Sequence, residues 1–178
     1  MVIALLPLKE GETLGSNIGR YADLMGLKYT TVLRRSLFGC HSDPQSRLPT
    51  AIGHLAEQVG DYWSLKPEDI VKKHTEFQYA TMMASRMVRE NILQVMLSAH
   101  TGEALPLRIL GMKGERTAAL RYCEECLAEW IEAQQTPYWR IDHQLAGVYC
   151  CVKHACILKS VKRVQSVRYF DQTCFTSH

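Results

Sequence analysis

The chain has 178 residues, of which 47% are hydrophobic and 22% charged. That is enough for one ordinary domain or two small ones, and too apolar for disorder over most of the length. No apolar run reaches the ~20 residues of a membrane helix, and Met1–Leu8 lacks a positive n-region and meets Lys9 and Glu10 at once, so neither a membrane span nor a signal peptide is expected. The expected compartment is cytoplasmic and reducing, where seven cysteines, an odd number, do not form a disulfide framework.

A first helix is predicted over Glu12–Met25, with Leu14, Ile18, Tyr21, Ala22 and Met25 at helical spacing and Gly26 as its stop. A second starts near Thr30 or Thr31, either able to cap it, and ends at Gly39. It turns Val32, Leu33 and Leu37 inward and Arg34 and Arg35 outward. Residues 41–49 read as a loop around Asp43-Pro44. A third helix covers Thr50–Val59, with Ile52, Leu55, Ala56 and Val59 as its apolar stripe. A fourth opens at Ser64, with Pro67, Glu68 and Asp69 in its first turn, where proline is tolerated and acids suit the helix dipole. The third and fourth together fit either a helix-turn-helix, with a connection slightly long for the strict motif, or an ordinary packed pair. A long helix is predicted over 77–100, with Met82, Met83, Met87 and Met96 as core filler. A short helix and a loop follow over 104–114. From Leu120 onward cysteines, Trp139 and β-prone runs such as Gly147–Cys151 replace helical periodicity, which places a boundary near residue 115.

The chemistry-bearing pattern lies beyond that boundary. Cys123-Glu124-Glu125-Cys126 and Cys151-Val152-Lys153-His154 read C-x2-C, then C-x2-H. Two intervening residues let one tight turn aim both side chains at a single point, and two such turns make a tetrahedral site of the donor type that zinc favours. Three thiolates and one imidazole fill the shell, so one structural Zn2+ with no open position is expected at Cys123, Cys126, Cys151 and His154. Cys150 competes with Cys151 for the role, and the two-residue spacing to His154 favours Cys151. Cys40, Cys156 and Cys174 read as ordinary buried thiols. His74-Thr75-Glu76 before Cys123-x2-Cys126 also fits the zinc deaminase pattern, but no proline precedes Cys123 and that reading leaves Cys151 and His154 without a role. His54 and His100 have no partner at ligand spacing. With no phosphate-binding glycine loop or nucleophile elbow either, no enzyme is expected.

Charge adds a second feature. Between Asp142 and Asp171 there is no acidic residue, while Lys153, Lys159, Lys162, Arg163 and Arg168 fall in that stretch. Such a block suits a polyanion such as DNA, or is a solvated face. Arg34 and Arg35 form a second, smaller basic candidate.

These residues resemble the TniQ family, which includes the TnsD targeting proteins. The resemblance lies in Leu120–Leu127, in Pro137–Val148 leading into Cys151–His154, in Glu10–Leu14 at the start of the first helix, and in His74-Thr75-Glu76-Phe77. Glu124 and Val152 stand where the family usually has Pro, Ala155 where it usually has Gly, and Ala146 where Pro is frequent. The resemblance implies a transposition targeting adaptor. Such a protein links target-site recognition, through attachment DNA or a CRISPR effector complex, to an AAA+ ATPase and the transposase. The alternatives are a self-contained sequence-specific DNA-binding protein (an attachment-site reader or regulator) and, third, a deaminase-like zinc enzyme. Self-association into a homo-oligomer is open. The expected fold class is mainly α: a helical, helix-turn-helix-like part over residues 1–115, then a small zinc-knuckle module with short β elements and a basic C-terminal stretch over residues 116–178.

Overall fold

The computed structural model describes residues 3–27, 30–39, 48–98 and 119–162. Among them are eight α-helices, a single 3-10 turn and one two-stranded sheet. The expected boundary near residue 115 lies outside the described residues, as do the short helix expected over 104–114, His100, and the loop at 41–47.

Helix α1 (Leu14–Leu24) starts where Thr13 Oγ1 accepts the Ser16 N–H at 3.2 Å, so the first turn has its cap. Leu14, Ile18 and Ala22 recur every fourth residue and face the core. The helix stops at Gly26, whose φ of +62° suits a residue without Cβ. Helix α2 (Thr31–Phe38) begins after Thr30, but the Thr30 hydroxyl makes no cap bond; it ends in left-handed Gly39. Helix α3 (Ile52–Val59) buries Ile52, Leu55 and Val59. Helix α4 (Pro67–His74) begins three residues later than Ser64, because Pro67 occupies the first helical position and Lys66 the cap. Helices α3 and α4 are consecutive and packed against each other. Their connection, residues 60–66, contains the 3-10 turn Gly60–Tyr62 and is longer than the three or four residues of the DNA-reading motif.

The long helix expected over 77–100 is two pieces, α5 (Phe77–Ala80) and α6 (Arg86–Leu97). Thr81 Oγ1 donates to the Phe77 carbonyl at 2.7 Å, and Ser85 caps α6 by accepting the Val88 N–H. The break changes the fate of the methionines. Met96 is buried, but Met82, Met83 and Met87 lie in and just after the break and are 60%, 75% and 77% exposed. They are therefore not core filler.

One hydrophobic cluster gathers residues from Ile3 to Met96, with Phe38, Leu55, Ile70, Phe77 and Ile92 fully buried. The N-terminal strap belongs to it. Ile3 and Leu5 are buried, and the strap is tied down by Trp63 Nε1 donating to the Leu6 carbonyl at 2.9 Å and by Asn17 Nδ2 donating to the same carbonyl. Helix α3 lies against α2, α4 and α6. A second, smaller cluster is made of Cys123, Cys126, Cys151 and Leu158, with Trp130, Val148 and Cys156 against it.

In chain order the second cluster falls between β1 (Ala119–Tyr122) and β2 (Lys159–Lys162), which pair directly with each other, antiparallel, with Leu120 opposite Val161 and Tyr122 opposite Lys159. Helix α7 (Glu124–Glu132) follows β1 directly. Helical periodicity does not end at Leu120, as expected, but returns here, with Cys123 as cap and Glu124 and Glu125 in the first turn. A last short helix, α8 (Ile141–Gln144), is fixed to β1 by Gln144, whose side chain accepts the Arg121 N–H and donates to the Arg121 carbonyl. The segment before α8 docks on the strap and α1. The Thr13 N–H donates to the Trp139 carbonyl at 3.0 Å, the Ile141 N–H to the Gly11 carbonyl at 2.8 Å, and the Trp139 N–H to Ser16 Oγ at 2.9 Å.

Candidate metal centre

Each ligand pair is aimed by a local turn. Cys123 caps α7 and Cys126 lies in its first turn; Cys123 Sγ accepts the Cys126 N–H at 3.4 Å. That geometry puts both sulfurs at the same helix end. The second pair sits on a knuckle closed by the Ala155 N–H donating to the Cys151 carbonyl and the Cys151 N–H donating to the Cys156 carbonyl, each at 2.8 Å. Gly147–Cys151, expected to be β-prone, contributes one isolated bridge between Cys150 and Ile157 rather than a strand. Ala155 has φ +52°, a left-handed conformation that glycine would adopt at less cost.

The two turns bring Cys123, Cys126, Cys151 and His154 together, with all four donor atoms within 4.8 Å of one another. Cys123 Sγ lies 3.3 Å from His154 Nδ1, Cys126 Sγ 3.4 Å from the same nitrogen, and Cys151 Sγ 3.8 Å from it; Cys126 and Cys151 sulfurs are 3.8 Å apart. A tetrahedral zinc with bonds of about 2.0–2.3 Å has edges of about 3.3–3.8 Å, so these separations suit one ion at the centre. The three cysteines are buried and His154 is half-buried. Electrostatics ask for a cation there. Burial, with Cys151 and Cys123 alongside, pushes the Cys126 thiol strongly up. Burial also opposes ionisation of Cys123, but the Cys126 N–H and the Cys156 and Cys151 thiols hold it below the usual range. Thiolates packed this closely repel one another, and a dication among them would relieve that repulsion. The group is able to hold a metal ion, and its donor set is consistent with zinc.

Two neighbours escaped the sequence reading. Glu129, on α7, accepts from His154 Nε2 at 3.0 Å through Oε1 and from Lys153 Nζ through Oε2. Lys153 and then His154 hold its carboxyl below the ordinary range. A carboxylate behind the second imidazole nitrogen fixes the ring so that Nδ1 points at the metal position, as is usual for metal-bound histidines. The available signal was the position of Glu129 six residues beyond Cys123 on the same helix, but nothing in the spacing ties it to His154. Cys156 is the other. It is half-buried rather than an ordinary buried thiol, and its Sγ lies 3.2 Å from Cys123 Sγ; that hydrogen bond pushes the Cys156 thiol up to about 11. Cys150 is exposed and outside the group. Cys40 and Cys174 lie outside the described residues.

His74 and Glu76 are not part of the four-donor group. His74 is buried with Nδ1 donating to the Glu12 carbonyl at 2.8 Å, which removes the geometric basis of the deaminase-like reading. His54 Nδ1 is hydrogen-bonded to the Leu37 carbonyl at 2.9 Å. The basic candidates scatter. Arg34 is half-buried on α2 and Arg35 is exposed. Lys159 is paired with Glu124 and Lys153 with Glu129. Lys162 ends β2, while Arg163 and Arg168 lie outside the described residues. A feature not anticipated is a cleft of about 610 Å³ between the end of α4 and α8, flanked by exposed Lys72 and Lys73 and by the Arg140–Asp142 pair. No helix among the described residues is long and apolar enough to cross a membrane.

The family model described as TniQ matches residues 4–158 of the chain, so it spans the helical core, the docked segment and all four donors. No curated protein matches the chain.

Proposed function

The chain belongs to the TniQ family and is a transposition-associated protein; from that premise we propose that it is a targeting adaptor. In this reading it links target-site recognition, by attachment DNA or by a CRISPR effector complex, to an AAA+ ATPase and through it to the transposase, with no turnover of its own. The observation that carries the reading is the family match over residues 4–158. A bridge needs two surfaces on one body, and two hydrophobic clusters joined by the docked segment at 136–146 suit that need. Engaging both partners then raises a modest affinity for each through effective concentration.

In the same reading Cys123, Cys126, Cys151 and His154 hold one structural Zn2+. When bound, the ion supplies the countercharge for the thiolates and cross-links α7 to the knuckle. The protein's own part is to orient the donors: the α7 cap for Cys123 and Cys126, the knuckle for Cys151, and Glu129 for His154. Metal affinity in such a module is also folding energy. DNA contact is assigned to the basic stretch around Lys162, Arg163 and Arg168, with Arg35 as a second site. Phosphate contacts of this kind weaken steeply with salt.

The test is a pull-down with the cognate ATPase, with and without target DNA or the effector complex, followed by an integration assay. The adaptor reading expects capture strengthened by the second partner, and loss of targeted insertion when the protein is omitted. A purified chain that binds neither partner yet recognises one DNA sequence tightly establishes the attachment-site reader instead. Cys123→Ser is expected to abolish metal binding and to unfold the C-terminal module.

A further inference from the structure

We propose that Cys156 is a fifth donor of the metal centre, able to take the vertex of His154, so that the site exchanges between a three-sulfur, one-nitrogen set and a four-sulfur set around a borderline-soft divalent ion such as Zn2+. The proposal rests on the metal-binding reading above. Its first support is distance. Cys156 Sγ and His154 Nδ1 both stand next to the same ligand, 3.2 and 3.3 Å from Cys123 Sγ. Cys156 is outside the four-donor group, but its sulfur stands beside one member of it, closer than the about 3.8 Å between two thiolates on one zinc.

The second support is the backbone. The Cys156 carbonyl accepts the Cys151 N–H at 2.8 Å, which locks the residue to the loop that carries two of the ligands. Entry therefore asks for rotation of one side chain, not for movement of the knuckle. The third is the way His154 is held. Its ring is fixed from the outer side by Glu129, which is itself shared with Lys153, and both acid and lysine are about half exposed. A contact that draws Glu129 away loosens the imidazole, while Cys123, Cys126 and Cys151 stay buried. The exchange balances without a co-reactant. In that exchange the metal–Nδ1 bond would break, a metal–sulfur bond to Cys156 would form, and the Cys156 thiol proton would pass to the released imidazole.

The experiment loads the full chain with Co2+, whose sulfur-to-metal charge-transfer band reports the number of thiolates, and compares wild type with His154→Ala, His154→Asn, and His154→Ala combined with Cys150→Ser or with Cys156→Ser. Metal per chain is measured by elemental analysis. The expected result is one ion in wild type and in both His154 variants, with the band stronger in those variants by about a third, as three thiolates become four. The Cys150→Ser combination keeps that ion and the Cys156→Ser combination loses it. Iodoacetamide is expected to modify Cys156 in the loaded wild type and to be excluded from it in the loaded His154 variants. His154 variants that unfold or go empty while wild type is loaded overturn the proposal alone, and so do loaded variants with unchanged band intensity. A wild type that holds no metal overturns the metal-binding reading together with this one.

Discussion

Glu12 offers the sharpest test of how the two parts are joined. Its carboxylate is fully buried and the Arg20 side chain opposite is 10% exposed. Arg20 Nε donates to Oε1 at 2.7 Å and Nη2 to Oε2 at 2.8 Å, and the Lys9 N–H donates to Oε2 at 3.0 Å. The Glu12 backbone bridges to Arg140 of the docked segment. In Glu12→Ala the guanidinium stays buried without its partner, and breaking a buried pair from one side costs about 3–5 kcal/mol, against about 0–1 kcal/mol for an exposed pair. The orphaned Lys9 N–H adds little, because Lys9 is half-exposed and water can replace the carboxylate. Set against a typical stability of about 5–15 kcal/mol, this is a large fraction. With a urea slope near 2 kcal/mol/M, the midpoint is expected to fall by roughly 2 M. Tryptophan fluorescence follows the unfolding of the metal-loaded protein, since Trp63 lies under the strap and Trp139 on α1. Adding Arg20→Met removes the stranded charge, so the double variant is expected to be more stable than the single. A loss below about 1 kcal/mol, or a double variant weaker than the single, refutes the reasoning.

Three further outcomes are expected. Glu129→Gln keeps one metal per chain but lowers its affinity about 10–100-fold in a chelator competition, because the imidazole loses its orienting carboxylate; unchanged affinity removes Glu129 from the site. Gly53→Ala gains about 1 kcal/mol of helix propensity, but its Cβ would stand 2.7 Å from the Leu97 carbonyl oxygen. Overpacking costs about 1–3 kcal/mol, so the melting temperature falls, and a rise counts against the close approach of α3 to α6. Burial holds His74 below its ordinary pKa, partly opposed by its hydrogen bond to the Glu12 carbonyl, with Lys73 adding to the depression. The unfolded chain therefore takes up the proton first. The stability from neutral His74 is fully present above about pH 6.5 and is lost as pH falls towards the lower folded-state value. Urea midpoints between about pH 7.5 and 5 should drop less in His74→Gln than in wild type; parallel curves exclude His74 as the source.

The four donors were legible in the sequence because a two-residue spacing is a local quantity: a helix cap at Cys123 or a knuckle at Cys151 sets the direction of both its sulfurs or its sulfur and nitrogen. The stop of α1 at Gly26, the proline at the start of α4 and the glycine ending α2 were readable for the same reason. Periodicity could not reveal the break after α5, since apolar residues keep helical spacing across it, and it could not tell buried Met96 from exposed Met82, Met83 and Met87. Nor could it show that Lys159 is spent on Glu124, or that Glu129 and Cys156 stand beside His154 and Cys123. Those pairings join residues 25 to 35 positions apart. They depend on the register of β1 against β2 and on how α7 lies over the knuckle. The sequence of each segment determined which turns could form and which donors they would aim. Which side chains then met across the gap was decided only when packing brought the segments together.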